Sequence, residues 1–206
     1  MPLHCPTRFF IARHGDAGYA HAHVMSDDGG WLTGKGREQV QSCAAALTAD
    51  RIAAVHTSPL DRAVQSGEIA APILSVAVEV APGLAEISVG DCAGKPWGDP
   101  SLQSVYDAWM AGDLHARVPG GETGAEVIAR FRDAVESIAD RYRGEQVLLF
   151  SHGGVMSFAI PRLAANTADD LAHRKFIPNA VPAVVEVGDE GWRVLSWPGS
   201  ADAASV

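Results

Sequence analysis

Short apolar runs alternate with longer amphipathic stretches along most of this chain, and that alternation restricts the folds open to it. Residues 8–12, Arg-Phe-Phe-Ile-Ala, read as a buried strand running into the tight loop Arg13-His14-Gly15. Residues 34–50 carry Val40, Cys43, Ala44 and Leu47 at helical spacing, so a helix there has one apolar face. Residues 51–56 are a short strand candidate. In Thr57-Ser58-Pro59, Ser58 reads as an N-cap and Pro59 as a first helical residue, which predicts a helix towards Ile73. Residues 75–80 are β-branched and strand-like. Residues 100–112 place Leu102, Val105, Tyr106 and Trp109 on one helical face, and 122–142 form a long amphipathic helix. The apolar run 146–150 meets Ser151-His152-Gly153-Gly154, and a further helix follows. Residues 181–187 and 192–197 alternate as a terminal hairpin around a turn at 188–191.

This alternation predicts an α/β fold: a three-layer sandwich whose mainly parallel sheet is covered by helices on both faces. Such sheets bind ligands at the carboxyl ends of their strands. Residues 92–121 break the alternation and are expected to form a small helical insertion over the site. A length of 206 residues suits a single domain, 1–206, with that one insertion.

The formal net charge of -9 argues against non-specific nucleic-acid binding, which needs Lys and Arg against phosphates. No polybasic run is present to attract anionic lipid. A small anionic substrate remains compatible, because a few converging cations suffice locally. Cys5, Cys43 and Cys92 are far apart and show no C-x-x-C spacing, so neither a zinc site nor a disulfide framework is indicated. The first eight residues have no signal-like apolar run, and no stretch approaches the roughly 18 apolar residues of a membrane span. A reduced, cytoplasmic setting is the expectation. The small, polar tail at 198–206 is expected to fray.

Two places repeat one pattern: a short apolar strand, a polar residue, a histidine and a glycine. They are Arg13-His14-Gly15 and Ser151-His152-Gly153. One His-Gly after a strand reads equally as a turn with a solvated histidine; two in one α/β chain point to a shared crevice. Gly15 and Gly153 would let the backbone pass close to a ligand there. Arg62 falls in the first turn of the helix after Thr57-Ser58-Pro59, where a guanidinium and a helix N-terminus both favour an anion. Glu86, just beyond a strand, could supply a proton to a leaving oxygen if it is partly desolvated; alone it reads as a solvated loop residue.

Together these segments resemble the histidine phosphatase superfamily, which includes the cofactor-dependent phosphoglycerate mutases. The resemblance spans residues 8 to about 187. It rests on Arg13-His14-Gly15, on Leu32-Thr33 with Gly36 and Gln39, and on residues 57–66. It continues through Leu84 and Glu86 with Gly90 and Gly94, through Pro119-Gly120-Gly121-Glu122-Thr123, and through Ser151-His152-Gly153-Gly154. It implies a metal-independent phosphatase acting on a small phosphate monoester. His14 would be the nucleophile, Arg13, Arg62 and His152 the phosphate ligands, and Glu86 the proton donor. It implies no metal, no cofactor, no nucleic acid and no membrane partner; the partner is the small phosphorylated substrate. Homodimers are common among such enzymes, although nothing in the sequence demands one.

Several rival readings stay open at this stage. Ala17 and Ala20 stand where the family often has Thr or Ser and then Asn. That brings the first motif closer to small phosphohistidine-protein phosphatases and also suits a non-catalytic phosphate-binding module. A phosphoglycerate mutase needs paired cations for a second acid, whereas the insertion offers only Lys95, His115 and Arg117. Trp97, Tyr106, Trp109, Met110 and Leu114 of the insertion suit a core more than a substrate pocket. A metal site on His21, His23, Asp27 and Asp28 lacks partner spacing. Neither a Gly-x-Ser-x-Gly elbow nor a P-loop is present.

Overall fold

The computed structural model describes residues 5–21, 23–27, 29–169, 171 and 177–198. Along the chain, β1 (Thr7–Arg13) leads through a small antiparallel pair, β2 (Ala17–Gly18) and β3 (Trp31–Leu32), into α1 (Gly34–Ala46). Then come β4 (Ile52–Thr57), α2 (Asp61–Leu74), β5 (Val78–Val80), α3 (Pro100–Met110), α4 (Gly124–Arg141), β6 (Gln146–Ser151) and α5 (Gly153–Leu163). The hairpin of β7 (Pro182–Gly188) and β8 (Gly191–Ser196) closes the described chain.

The sheet order is β5-β4-β6-β1-β7-β8. The first four strands are parallel, β7 runs antiparallel to β1, and β8 antiparallel to β7. Helices cover both faces. Phe9 and Ile11 of β1 join Val147 and Leu149 of β6 in a core with Val127 and Phe131 of α4 and Ile160 of α5. The intervening Phe10, Ala12, Leu148 and Phe150 point the other way, into a core with Val40 of α1 and Ala63 of α2. Both faces of the central strands are thus buried, which is why their sequences are continuously apolar. Each large side chain so buried contributes roughly 1.5–3 kcal/mol.

The parallel strands bring their carboxyl ends to one edge, and the ladder continues past them. His14 N–H donates to Ser151 O (2.9 Å), Ser58 N–H to Phe150 O (2.9 Å) and Ala81 N–H to Thr57 O (2.8 Å). The candidate residues are therefore aligned by the sheet itself.

Local boundaries differ from the sequence expectations in several places, including the long helix, which spans Gly124–Arg141 rather than 122–142. Helix α2 begins at Asp61 with Leu60 at its N-cap, so Ser58 and Pro59 lie before it. Ser58 is still tied to the sheet through its N–H, and its hydroxyl is committed elsewhere. The strand expected over 75–80 is only Val78–Val80, because Ser75 takes the left-handed conformation that ends α2 and Val76 N–H bonds Ala71 O. The helix expected over 34–50 ends at Ala46, and a separate 3-10 turn follows over Thr48–Asp50. The long helix starts at a capping box, Thr123 with Glu126. All three cysteines are free thiols. Among the described residues no helix is long and apolar enough to cross a membrane. Residues 199–206 of the tail lie outside the described residues.

Candidate active site

His14 leaves the end of β1 and is 2% exposed. Its Nδ1 lies 2.7 Å from Gly15 O. A carbonyl only accepts, so Nδ1 carries the ring proton and the lone pair sits on Nε2. That lone pair accepts from Arg62 Nε at 3.1 Å, which is consistent with the same tautomer. Burial lowers the His14 pKa to about 3; the Gly15 bond opposes this, and the charges of Arg62 and Arg13 add to it. The ring is therefore neutral at any ordinary pH.

Arg62 reaches His14 from the first turn of α2 and is itself 5% exposed. Its Nη1 donates to Gly29 O (2.6 Å), and its guanidinium lies 5.6 Å from the centre of the Tyr19 ring. The loop before β3 thus holds the arginine from outside. Arg13 lies against Gly153 at the start of α5 and lowers the pKa of both buried histidines.

His152 precedes α5, is fully buried, and its ring centre lies 5.2 Å from that of His14. Its Nε2 lies 2.6 Å from Ser58 Oγ, which also accepts Leu60 N–H. Where the Ser58 hydroxyl is the donor of this pair, His152 Nε2 is its acceptor. A neutral His152 then holds its own proton on Nδ1, a buried nitrogen without a hydrogen-bond partner. Burial pushes the His152 pKa well down, with Arg62 next among the causes, so the neutral form is favoured.

Glu86 approaches from the segment after β5. Its Oε2 accepts from Gly154 N–H (2.9 Å) and its Oε1 from Val155 N–H (2.7 Å) and Ile87 N–H (2.9 Å). The carboxylate thus sits on the first turn of α5, one residue beyond Gly153. A Cβ on Gly154 would stand 2.6 Å from Oε1, so any side chain there would push the Glu86 carboxylate aside.

The sequence placed Arg13, His14, Arg62, His152 and Glu86 at one edge, and the structure brings them there. Within the chain, Gly15 N–H donates to Ser66 Oγ (3.2 Å), its carbonyl holds His14, and a Cβ would strike Gly36 O. Gly153 is the first residue of α5. Sequence reasoning missed four supporting side chains. Ser58 orients His152; Ser66 bonds Gly15 N and Arg62 O; Asn179 Nδ2 donates to His14 O (2.8 Å); Arg130 grips the Glu86 segment. Only Ser58 and Ser66 lay within a quoted motif, and there they carried no readable partner.

The histidine phosphatase superfamily (branch 1) model matches residues 9–199. The chain belongs to the histidine phosphatase superfamily. It is 30% identical to a metal-independent phosphoserine phosphatase of Arabidopsis thaliana, over 97% of this chain and 84% of the relative. It is 26% identical to a probable phosphoglycerate mutase of Yersinia enterocolitica, over 91% of this chain and 88% of the relative. The fold matches YhfR of Bacillus stearothermophilus with a TM-score of 0.79 and 26% identity, covering 96% and 98% of the two chains. The chain spans only 52% of the length of a bifunctional protein of Mycobacterium tuberculosis that it also matches. Membership makes it an enzyme of the phosphatase and mutase type.

In this histidine phosphatase superfamily member the two positions that depart from the common motif carry alanine. Ala17 pairs with Leu32 in the β2–β3 pair and Ala20 is exposed. In the insertion, Trp109 is core, its ring centre 4.9 Å from that of Phe158 and tilted by 32°, while Trp97 is 61% exposed. Tyr106 is half-buried; burial and the Glu86 and Asp27 carboxylates push its pKa up. His21 and His23 are exposed, Asp27 bonds Ser88 and Val89, and Asp28 lies outside the described residues. Among the described residues no group of three His, Cys, Asp or Glu side chains is placed to hold a metal.

Proposed function

We propose that this chain is a phosphatase that hydrolyses the phosphate monoester of a small molecule, without a metal, through a phosphohistidine at His14. The observation that carries the reading is the fixed tautomer of His14: Nδ1–H held on Gly15 O, with the Nε2 lone pair turned to the Arg62 guanidinium. A neutral imidazole is the nucleophilic form. On binding, Arg62 redirects its Nε–H hydrogen bond from His14 to a phosphate oxygen, Arg13 donates to others, and His152 donates its Nδ1–H. These donors meet the charge that spreads over the phosphoryl oxygens, and each is worth about 10²–10³ in rate.

His14 Nε2 attacks phosphorus, the bond to the leaving oxygen breaks, and Glu86, entering this step in its protonated form, gives that oxygen its proton and is left as the carboxylate. Water then attacks the phosphohistidine, the nitrogen–phosphorus bond breaks, and Glu86 takes the water proton. The Arabidopsis relative's name, a metal-independent phosphoserine phosphatase, supports both the absence of a metal requirement and a small phosphomonoester as substrate.

Hydrolysis is favoured over mutase chemistry by the state of the insertion's cations. Lys95 is paired with Asp99 (3.8 Å) and Arg117 with Glu126 (2.8 Å). Both of these cations are already engaged by carboxylates of this chain. The test is hydrolysis of p-nitrophenyl phosphate in EDTA by the wild type and by His14→Ala. We expect wild-type turnover that survives EDTA and is lost in the variant. Turnover that persists in His14→Ala overturns the reading.

A further inference from the structure

The segment that delivers Glu86 follows a single 3-10 turn, Pro82–Leu84, and is then irregular. Four successive carbonyls along it nevertheless accept side-chain hydrogen bonds. Arg130 Nη1 donates to Gly83 O (2.9 Å) and Ala85 O (2.7 Å), and Arg130 Nη2 donates to Glu86 O (3.0 Å). Ser151 Oγ donates to Leu84 O (2.8 Å). Arg130 stands on α4 and is aimed by Glu122, which takes Nε at 2.6 Å and Nη2 at 3.0 Å in a bidentate pair. Gly83 lies so close to α4 that a Cβ would meet Ala134 Cβ at 2.6 Å.

We propose that Arg130, held by Glu122, is a positioning residue that sets the Glu86 carboxylate for proton transfer; this rests on the function proposed above and deepens it. Glu86 has two anchors. Its carboxylate rests on the first turn of α5, and its backbone is hung from α4 through one planar guanidinium. Removing the guanidinium frees three carbonyls at once and lets the backbone of Glu86 shift. Misplacement of a reacting group by about 1 Å is enough to cost on the order of 10²-fold in rate. Lysine offers a point charge instead of a planar fork and cannot serve three carbonyls and a carboxylate together.

Positioning and mere structural support part company in the leaving-group dependence. p-Nitrophenolate departs without a proton, whereas the alkoxide of O-phosphoserine needs one. The experiment measures kcat/KM, which reports the first transfer, over p-nitrophenyl phosphate, phenyl phosphate and O-phosphoserine. It compares the wild type, Glu86→Gln, Arg130→Met and Arg130→Lys, with inhibition by inorganic phosphate as the binding control. We expect Arg130→Met to follow Glu86→Gln: about 10²-fold lost on O-phosphoserine, less than about tenfold on p-nitrophenyl phosphate, and phosphate inhibition nearly unchanged. Arg130→Lys should fall between and carries the comparison if Arg130→Met does not fold. Equal losses on all substrates in the Arg130 variants, with Glu86→Gln still selective, overturn the positioning role and leave Glu86 as proton donor. A Glu86→Gln variant without selectivity overturns the assignment of Glu86 and the positioning role with it.

Discussion

Because Gly15 presents only a carbonyl to Nδ1, the His14 proton has one place to sit, and the pKa of about 3 keeps the second proton away. Histidine NMR can read this directly. The His14 ring resonances, assigned by their absence in His14→Asn, should not titrate between pH 8 and 5; a transition near 6.5 would show that burial and the two arginines do not act as described. His152 depends on Ser58 in a similar way. Ser58→Ala leaves its Nε2 without a partner and should lower kcat/KM by about tenfold, the value of one such hydrogen bond. The histidines and Arg62 were legible in the sequence because each sits beside a strand end with a glycine or a helix start. Their supports were not. Ser66 meets a partner 51 residues away and Asn179 one 165 residues away, and no local period or spacing encodes such pairs.

Two helices come so close to the site that each carries a glycine at the contact, with different obstacles to a Cβ. Helix α1 presses Gly36 against the loop, where a Cβ would strike the backbone carbonyl of Asp16. A backbone atom cannot rotate away, so Gly36→Ala should cost about 3 kcal/mol in stability, read as a lowered urea midpoint at unchanged slope. An unchanged midpoint would mean that α1 is free to slide. On α5 the obstacle to a Cβ at Gly154 is the Glu86 carboxylate, which can move. Gly154→Ala should therefore spare stability to within about 1 kcal/mol and displace Glu86, so that O-phosphoserine hydrolysis falls far more than p-nitrophenyl phosphate hydrolysis. The start of α1 at Gly34 was legible, whereas the long helix begins at Gly124, two residues later than expected, because Thr123 caps it. The start of α2 was misplaced because the Ser58 hydroxyl, besides accepting Leu60 N–H, is committed to His152, 94 residues away, and the helix begins only at Asp61. Tertiary demand overrode a good local signal.

The alternation of strand and helix revealed the layered α/β class, but the order β5-β4-β6-β1-β7-β8 lay beyond it, since pairing between distant strands leaves no mark on either sequence. Folding in that order buries three histidines at once: His14, His152 and His56, the last behind Tyr142 with Glu79 and Arg141 nearby. Burial is the leading cause that lowers all three below 6.5. The sign of the linkage follows. Below pH 6.5 the unfolded chain binds protons that the folded chain refuses, so stability falls as pH falls, by at most about 1.4 kcal/mol per pH unit for each histidine. For His14 that loss continues until about pH 3. Urea unfolding at pH 7.5, 6.5 and 5.5 should show a stability that declines below 6.5, in a range where carboxylates remain ionised and do not contribute. His56→Leu keeps an apolar side chain against Tyr142, removes the buried Nε2 that has no hydrogen-bond partner, and should shallow the decline by about one histidine's share. A stability flat from pH 7.5 to 5.5 would mean that these histidines accept protons without unfolding. A full slope retained in His56→Leu would assign the acid sensitivity to the two site histidines alone.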